Sequence, residues 1–185
     1  MSEFQLPPKP RVLGKRTRIA VVASRFNSAF SDALVENCLA EMLRLVPESV
    51  VDLHQVPGAF EIPFVVEHLA RLNPPDIIIA LGVIIRGATA HGDLIAESVT
   101  HALQQTSIRH LVPVVHEVLL VDDKEQARER TMGERLNRGR EAARAAAMMM
   151  ASVEKLRKTR PASKQPTANG SSKQPATDGQ ETRRT

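Results

Sequence analysis

The feature that most constrains the fold is a continuous apolar run that ends in a turn of small and polar residues. The run covers residues 76–85, and the turn at 86–93 supplies Thr89, His91 and Asp93. A short strand that is apolar on both sides is typical of a buried parallel sheet. Ligands bind at the carboxyl ends of such strands, so we predict that the active site is built around this turn.

Four predicted strands, two of which are continuously apolar, alternate with stretches of helical spacing. The predicted strands cover 18–24, 50–56, 76–85 and 112–121, and the predicted helices cover 28–45, 59–72, 94–107, 124–131 and 140–157. We expect Ser28 or Ser31 to cap the first helix, and His110 to lie in the loop after the third. The order predicts an α/β protein: a single-domain three-layer sandwich, flavodoxin-like, in which a four-stranded parallel sheet carries helices on both faces.

The two ends of the chain differ from its middle. Residues 1–17 hold three prolines and four basic residues without periodicity, and we expect an extended arm. Residues 158–185 are nearly free of apolar side chains and cannot bury enough surface to offset ordering, which predicts a disordered basic tail. The globular domain is therefore expected at 18–157.

The positive charge is a property of the C-terminal end. The net charge is +4, but residues 152–185 contribute +5 (eight Lys/Arg against three Asp/Glu), which leaves −1 for the rest. A nucleic-acid or membrane-surface partner would therefore have to bind the tail. A solvated solubility tail is the simpler interpretation, and we expect neither partner.

Cysteine and aromatic residues are scarce. The single cysteine, Cys38, excludes an intrachain disulfide, and its apolar helical pattern favours a core side chain over a nucleophile. Without tryptophan or tyrosine, an aromatic ligand could stack chiefly on Phe26, Phe30, Phe60 or Phe64. No signal peptide and no apolar stretch of membrane-spanning length is evident, which predicts a cytoplasmic location.

Several catalytic signatures are absent, and the chemistry-bearing residues that remain follow the strand ends. There is no G-x-G-x-x-G after the first strand, no Walker A motif, no G-x-S-x-G elbow and no H-E-x-x-H. The strand ends lead to Phe26 and Asn27, to residues 58–61, to residues 87–91 and, through a short helix, to Arg130. This set suits a polar aromatic ring and a phosphate. A structural alternative stays open, in which Gly58 and Gly87 are turn glycines and Phe60 and Phe64 are core.

Four sequence blocks carry a resemblance to a known family. They are RFN at 25–27, VPGAFEIP at 56–63, ALGVIIRGATAHGD at 80–93 and EQARER at 125–130. The blocks resemble the 6,7-dimethyl-8-ribityllumazine synthase family, occur in its order and span about residues 17–151. The two long blocks are highly specific.

The resemblance implies a reaction and a set of site residues. The family condenses 5-amino-6-(D-ribitylamino)uracil with 3,4-dihydroxy-2-butanone 4-phosphate, releasing phosphate and water, without a metal or an organic cofactor. Matching positions imply His91 for proton transfer; Phe26, Ala59, Phe60, Glu61, Val83, Ile84, Ile85 and His116 for the pyrimidine and ribityl groups; and Ala88, Thr89 and Arg130 for the butanone phosphate. The residues agree with these roles, because histidine titrates near neutrality and a phosphate needs a cation and donors. From its spacing, Asp93 is expected to orient or charge-stabilise His91.

Three positions depart from the family pattern. His116 stands where the family usually has a phenylalanine that closes over the pyrimidine of a neighbouring subunit, and it brings a polar, titratable ring. We therefore expect substrate binding that weakens at low pH. Gly92 replaces a common aromatic, and Arg138 replaces a usual lysine, which keeps the charge.

Assembly is also implied by the resemblance. Members form homopentamers, and some form decamers or 60-subunit shells, with sites between subunits; riboflavin synthase is a possible partner. The alternative to an active enzyme is a paralogue that assembles and binds a flavin or pyrimidine with little catalytic activity.

Overall fold

The computed structural model describes residues 17–159, which form a four-stranded sheet and five helices. Each predicted strand is present, and each shifts by no more than two residues from its predicted bounds. The strands are β1 (Arg18–Ser24), β2 (Val50–Val56), β3 (Ile77–Ile85) and β4 (Val114–Val121), and the helices are α1 (Ser28–Leu45), α2 (Ile62–Leu72), α3 (His91–His110), α4 (Lys124–Met132) and α5 (Arg138–Lys158).

All strand pairs are parallel, and the sheet order is β2-β1-β3-β4. The chain therefore moves from β1 to one side of the sheet and then returns past it to β3. In this topology a crevice opens outside the carboxyl ends of β1 and β3, where the winding direction reverses. The predicted α/β fold with a four-stranded parallel sheet is confirmed.

Two apolar cores cover the two faces of the sheet. Alternate residues of β1 and β3 pack against α1, α4 and α5 on one face, and the others pack against α2 and α3 on the opposite face. The first eight residues of β3 are all buried, which explains why this strand lacks an apolar/polar alternation. Cys38 has no exposed surface and belongs to the α1 core, as predicted. Burial raises the pKa of the Cys38 thiol to about 12.

The ends of three predicted helices are corrected. No serine side chain caps α1, because Asn27 occupies the cap position and Ser31 instead donates its hydroxyl to the carbonyl of Phe26 at 2.8 Å. The second helix begins with a 3₁₀ turn at Ala59–Glu61 before α2. Helix α3 extends beyond the prediction at both ends, so His91 is its first residue and His110 its last.

His110 is therefore not a loop residue but part of a polar cluster between α2 and α3. Its Nε2 lies 2.8 Å from Glu67 Oε1, and Glu67 also accepts hydrogen bonds from Thr106 and Arg109. The hydrogen bond from Thr106, followed by that from His110, lowers the pKa of Glu67 to about 2. The cluster ties the two helices that cover this face of the sheet.

Helices α1 and α5 approach closely enough to exclude a side chain. A Cβ atom on Gly139 would lie 2.4 Å from the carbonyl oxygen of Leu34. Beside this contact, Arg144 donates to Glu41 at 2.7 Å, and both side chains are largely buried. The glycine in the first turn of α5 is therefore required by helix packing.

The predictions for the chain ends fall outside the described residues. These are the arm at 1–17, of which only Thr17 is described, and the disordered tail at 158–185, of which only Lys158 and Thr159 are described. Among residues 17–159, the structure contains no helix that is long and apolar enough to cross a membrane.

The close packing of α1 and α5 predicts that Gly139→Ala destabilises the protein. Forcing a methyl group against the backbone of α1 should lower the free energy of unfolding by about 2 kcal/mol. Urea unfolding followed by circular dichroism measures this quantity. Gly92→Ala is the matched control, because its Cβ would meet Ile84 at an ordinary 3.4 Å in the first turn of α3. An equal loss of stability in both variants would contradict this explanation.

Candidate functional site

A cleft of about 690 Å³ lies at the carboxyl ends of β1 and β3, at the point where the winding of the sheet reverses. It receives residues from the ends of β1, β2 and β3 and from the first turns of α3. Its lining comprises Phe26, Asn27, Gly58, Ala59, Phe60, Glu61, Val83, Ile84, Ile85, Gly87, Thr89, His91, Gly92, Leu94 and Ile95. Nine of the twelve predicted site residues are in this set.

The loop after β1 is tied to both neighbouring strand ends. The backbone N–H of Phe26 donates to the carbonyl of Pro57 at 3.0 Å. Asn27 adopts a left-handed backbone with φ of 58°, which asparagine tolerates better than most residues. Its Nδ2 donates to the carbonyl of Val83 at 2.9 Å. These bonds hold the Phe26 ring at the cleft, where 69% of the residue surface is exposed.

The 3₁₀ turn after β2 forms the opposite side of the cleft. The backbone N–H of Gly58 donates to Glu61 Oε2 at 2.8 Å, which fixes the carboxylate at the turn. Ala59 is buried, whereas Phe60 is 61% exposed. Phe64, further along in α2, is 77% exposed. The alternative interpretation that Phe60 and Phe64 belong to the core is therefore wrong.

The turn between β3 and α3 presents a hydroxyl and an imidazole. Thr89 Oγ1 lies 3.5 Å from the backbone nitrogen of His91, and both residues are exposed in the cleft wall. A Cβ atom on Gly87 would have open space around it to a distance of 4 Å, so this glycine is an uncrowded turn residue. Ala88 lies between Gly87 and Thr89 in the same turn but does not line the cleft.

Asp93 makes no hydrogen bond to His91, so the predicted orienting role is wrong. The Asp93 carboxylate instead accepts from Arg86, whose Nε and Nη2 lie 3.0 and 2.9 Å from Oδ1. Residues two apart on a helix point in different directions, which explains the error.

Arg86 also contacts the segment that follows β4. Its Nη1 donates to Asp122, the first residue after β4. The hydrogen bonds to Asp93 and then to Asp122 raise the pKa of the Arg86 guanidinium. A hydrogen bond from Gln126, followed by that from Arg86, lowers the pKa of Asp122. One side chain therefore links the first turn of α3 to the residues that precede α4.

Two predicted residues lie away from the cleft of their own chain. Arg130 is in α4, on the opposite face of the sheet from α3, and its Nη1 is 3.8 Å from Glu129. His116 is in β4 and faces α3, where its Nε2 lies 3.0 Å from Thr100 Oγ1. Burial lowers the pKa of the His116 imidazole, so its neutral form is favoured.

Arg138, which stands where the family usually has a lysine, also lies outside the cleft lining. Arg138 begins α5, where its Nη1 donates to Glu141 at 2.9 Å and its Nε lies 3.8 Å from Glu117. Burial raises the pKa of Glu117 to about 7 against the opposing effect of Arg138. Within residues 17–159, no group of three or more His, Cys, Asp or Glu side chains is placed to hold a metal ion.

Sequence reasoning missed several cleft residues. Leu94 and Ile95, at the start of the predicted third helix, line the cleft although no site role was predicted for them. Asn27 was named at a strand end without a role, although an asparagine directly after a strand can supply a left-handed turn. Gly92 is buried against Ile84, where the small residue leaves room beside the cleft wall.

The arrangement combines apolar walls with a few polar groups at one end. Phe26 and Phe60 provide aromatic surface, residues 83–85 form an apolar wall, and Glu61 offers a carboxylate. Thr89 and His91 add a hydroxyl and an imidazole, which can donate or accept hydrogen bonds. Such a cleft suits a planar polar ring and an anionic second ligand.

A parallel α/β sheet with a cleft at its switch point is typical of α/β proteins that bind small-molecule ligands at the carboxyl ends of their strands. The family model described as 6,7-dimethyl-8-ribityllumazine synthase matches residues 16–154. The chain belongs to this family, whose members are transferases of riboflavin biosynthesis. The resemblance in the four sequence blocks is thereby confirmed.

The lowered pKa of His116 predicts a pH-dependent contribution to stability. Because the folded pKa lies below the ordinary value of 6.5, the unfolded chain binds more protons as the pH falls through 6.5. The wild type should therefore lose unfolding free energy between pH 7.5 and pH 5.5 relative to His116→Phe. Urea unfolding at both pH values measures the difference. His101→Phe, at an exposed position of α3, is the control, and the same pH effect in both variants would refute the assignment.

Proposed function

We propose that the protein condenses 5-amino-6-(D-ribitylamino)uracil with 3,4-dihydroxy-2-butanone 4-phosphate to 6,7-dimethyl-8-ribityllumazine, releasing phosphate and water. The carrying observation is the cleft at the β1/β3 switch point, which gathers nine of the twelve residues that match the family's site positions. Family membership supports lumazine synthase chemistry, and the chemistry of the cleft supports these two substrates.

The pyrimidine is proposed to bind between the aromatic and apolar parts of the cleft. Phe26 is exposed and held by two backbone contacts of its loop, so its ring can stack without a large ordering cost. The wall of Val83, Ile84 and Ile85 excludes water from one side of the ring. Ala59, Phe60 and Glu61 would hold the ribityl chain, whose hydroxyls match the Glu61 carboxylate and the polar backbone of the turn.

The butanone phosphate is proposed to bind at the turn between β3 and α3. Ala88 and Thr89 would contact the phosphate through backbone N–H groups and the Thr89 hydroxyl, next to the N-terminus of α3. Arg130 would supply the cation that a leaving phosphate needs. Because Arg130 lies outside the cleft of its own chain, it would serve a site that is completed by an adjoining subunit.

His91 is proposed to move protons during the reaction. Forming the imine, eliminating phosphate and closing the ring each require a proton to be taken up or released. The imidazole is exposed in the cleft wall at the start of α3, beside Thr89 and the proposed phosphate site. An imidazole can act as acid and base in turn, because one ring nitrogen can give up a proton and the other can accept one.

The assembly is proposed to be a homopentamer or a larger particle, either a decamer or a 60-subunit shell. The position of His116 and Arg130 away from their own cleft supports sites that are shared between subunits. His116 would close over the pyrimidine of a neighbour as a neutral ring, so substrate affinity should fall at low pH. Riboflavin synthase is a candidate partner, since it would consume the product.

The proposal also covers the division of the chain into segments and its location in the cell. We propose an N-terminal arm at 1–17, a lumazine-synthase-like domain at 18–157 and a basic tail at 158–185, which we do not assign to nucleic acid or a membrane. A single buried cysteine is compatible with a reducing compartment, and we propose a cytoplasmic location.

The second candidate is a paralogue that binds a flavin or pyrimidine without efficient turnover. It is favoured by His116, which replaces an aromatic ring of the family with a partly buried, hydrogen-bonded imidazole. A coupled assay of lumazine fluorescence with both substrates distinguishes the two. Tight flavin binding without lumazine formation would favour the paralogue.

We predict that His91→Ala lowers kcat by about 10²-fold with little change in either KM, because it removes proton transfer and keeps the residues that are proposed to hold the two substrates. Steady-state lumazine fluorescence measures both constants. His101→Ala is the control, since His101 is an exposed residue of the same helix outside the cleft. A wild-type rate in His91→Ala would remove His91 from its assigned role.

We predict that Arg130→Ala raises the KM for the butanone phosphate at least about tenfold, because a charge-assisted hydrogen bond to phosphate is lost. The KM for the pyrimidine should change much less. Arg128→Ala serves as the matched control: Arg128 is an exposed arginine of α4 whose Nε is 3.9 Å from Glu125. Equal effects on the two substrates, or the same effect in the control, would argue against phosphate binding by Arg130.

A further inference from the structure

The turn that carries Thr89 has little packing of its own. Residues 86–91 are exposed, and a Cβ on Gly87 would meet no atom within 4 Å. Backbone bonds hold only its ends: Arg86 donates its N–H to the carbonyl of Val121 at 2.9 Å, and α3 follows. Side-chain contacts must therefore decide where the middle of the turn lies.

Arg86 makes such contacts on both sides of the turn. Its guanidinium reaches Asp93 in the first turn of α3 and Asp122 beyond β4. Asp122 is itself held, because its Oδ2 accepts from Gln126 Nε2 at 2.9 Å and its N–H donates to Gln126 Oε1 at 3.2 Å. The chain of contacts therefore runs from α3 through Arg86 to α4.

We propose that Arg86 is a positioning residue, which fixes the turn at 87–90 by bridging Asp93 and Asp122 and so holds Thr89 and His91 in the geometry that the phosphate substrate requires. This inference rests on the proposed function. It adds to that function a residue that contacts neither substrate.

The charges around Arg86 argue against a direct phosphate contact. Two carboxylates engage the Arg86 guanidinium, and the charge of Arg130 also acts on Asp122, so Arg86 itself offers little free charge to an anion. Removing a carboxylate would strengthen phosphate binding if Arg86 were a direct ligand, because the guanidinium would be released toward the anion. If Arg86 positions the turn through Asp122, the same change weakens binding. The sign of the effect therefore separates the two roles.

A purely structural role of Arg86 can also be distinguished from a role in positioning the turn. The side chains of Arg86, Asp93 and Asp122 are 44%, 48% and 57% exposed, and ion pairs of this kind contribute little to global stability. Loss of Arg86 should therefore leave the thermal midpoint unchanged while phosphate binding falls.

The experiment compares Arg86→Met, Arg86→Lys and Asp122→Asn in the full-length protein. Calorimetric titration gives the Kd for inorganic phosphate without turnover, and lumazine fluorescence gives the KM for each substrate. Arg109→Met is the matched control, since Arg109 is an exposed arginine of α3 that is paired with Glu67 far along the helix.

We expect Arg86→Met and Asp122→Asn to raise the phosphate Kd and the KM for the butanone phosphate at least about tenfold, since small misplacements of binding groups are costly. The KM for the pyrimidine and the thermal midpoint should stay near wild type. Arg86→Lys should be intermediate, because one ammonium cannot bridge two carboxylates as a guanidinium does. Arg109→Met should bind phosphate like the wild type.

Tighter phosphate binding in Asp122→Asn would overturn the inference, as would wild-type binding in Arg86→Met or an equal loss in Arg109→Met. A wild-type protein that does not bind phosphate overturns it as well. A protein that binds phosphate with the expected variant pattern but makes no lumazine leaves Arg86 as a positioning residue and refutes the proposed function. If substitution of Arg86 leaves lumazine formation unchanged, the positioning role is refuted and the proposed function stands.

Discussion

The pairing of β1 with β2 on one side and β3 on the other is the constraint on which the rest of the structure depends. Because all three strands are parallel, their carboxyl ends meet at one edge of the sheet. The loops that leave them diverge to opposite faces, and the space between the loops is the cleft. Backbone bonds from Arg25 to Val56 and from Phe26 to Pro57, and the Asn27 amide on Val83, then join the three loops at their bases.

Charge is distributed so that the cleft walls stay apolar and the ion pairs lie elsewhere. Arg144 with Glu41 joins α5 to α1, and Arg138 with Glu117 joins α5 to β4, on the opposite face of the sheet. Arg86 sits at the edge of the cleft, where it is committed to two carboxylates. The polar groups that line the cleft itself are few, which matches a site that holds a ring against apolar walls and directs an anion to one end.

Strands β1 and β3 were predictable because a short, continuously apolar run between turn residues is typical of a buried parallel strand. The helix ends were harder. Residues 91–93 contain a glycine and polar side chains, which read as a turn, yet they form the first turn of α3. Asn27 occupies the cap position expected of a serine without a side-chain cap bond, and its Nδ2 donates to the carbonyl of Val83.

The sequence by itself determined the class of fold, the family, and most of the residues that surround the cleft, because apolar periodicity and the spacing of strand ends are local properties. The tertiary structure decided which polar groups meet. Only the folded chain brings Asp93 and Asp122, 29 positions apart, to one guanidinium, and only it directs His116 toward α3 and Arg130 toward the other face of the sheet. The physical reason is that side-chain direction and distance across the sheet depend on register and helix phase, which no local pattern specifies.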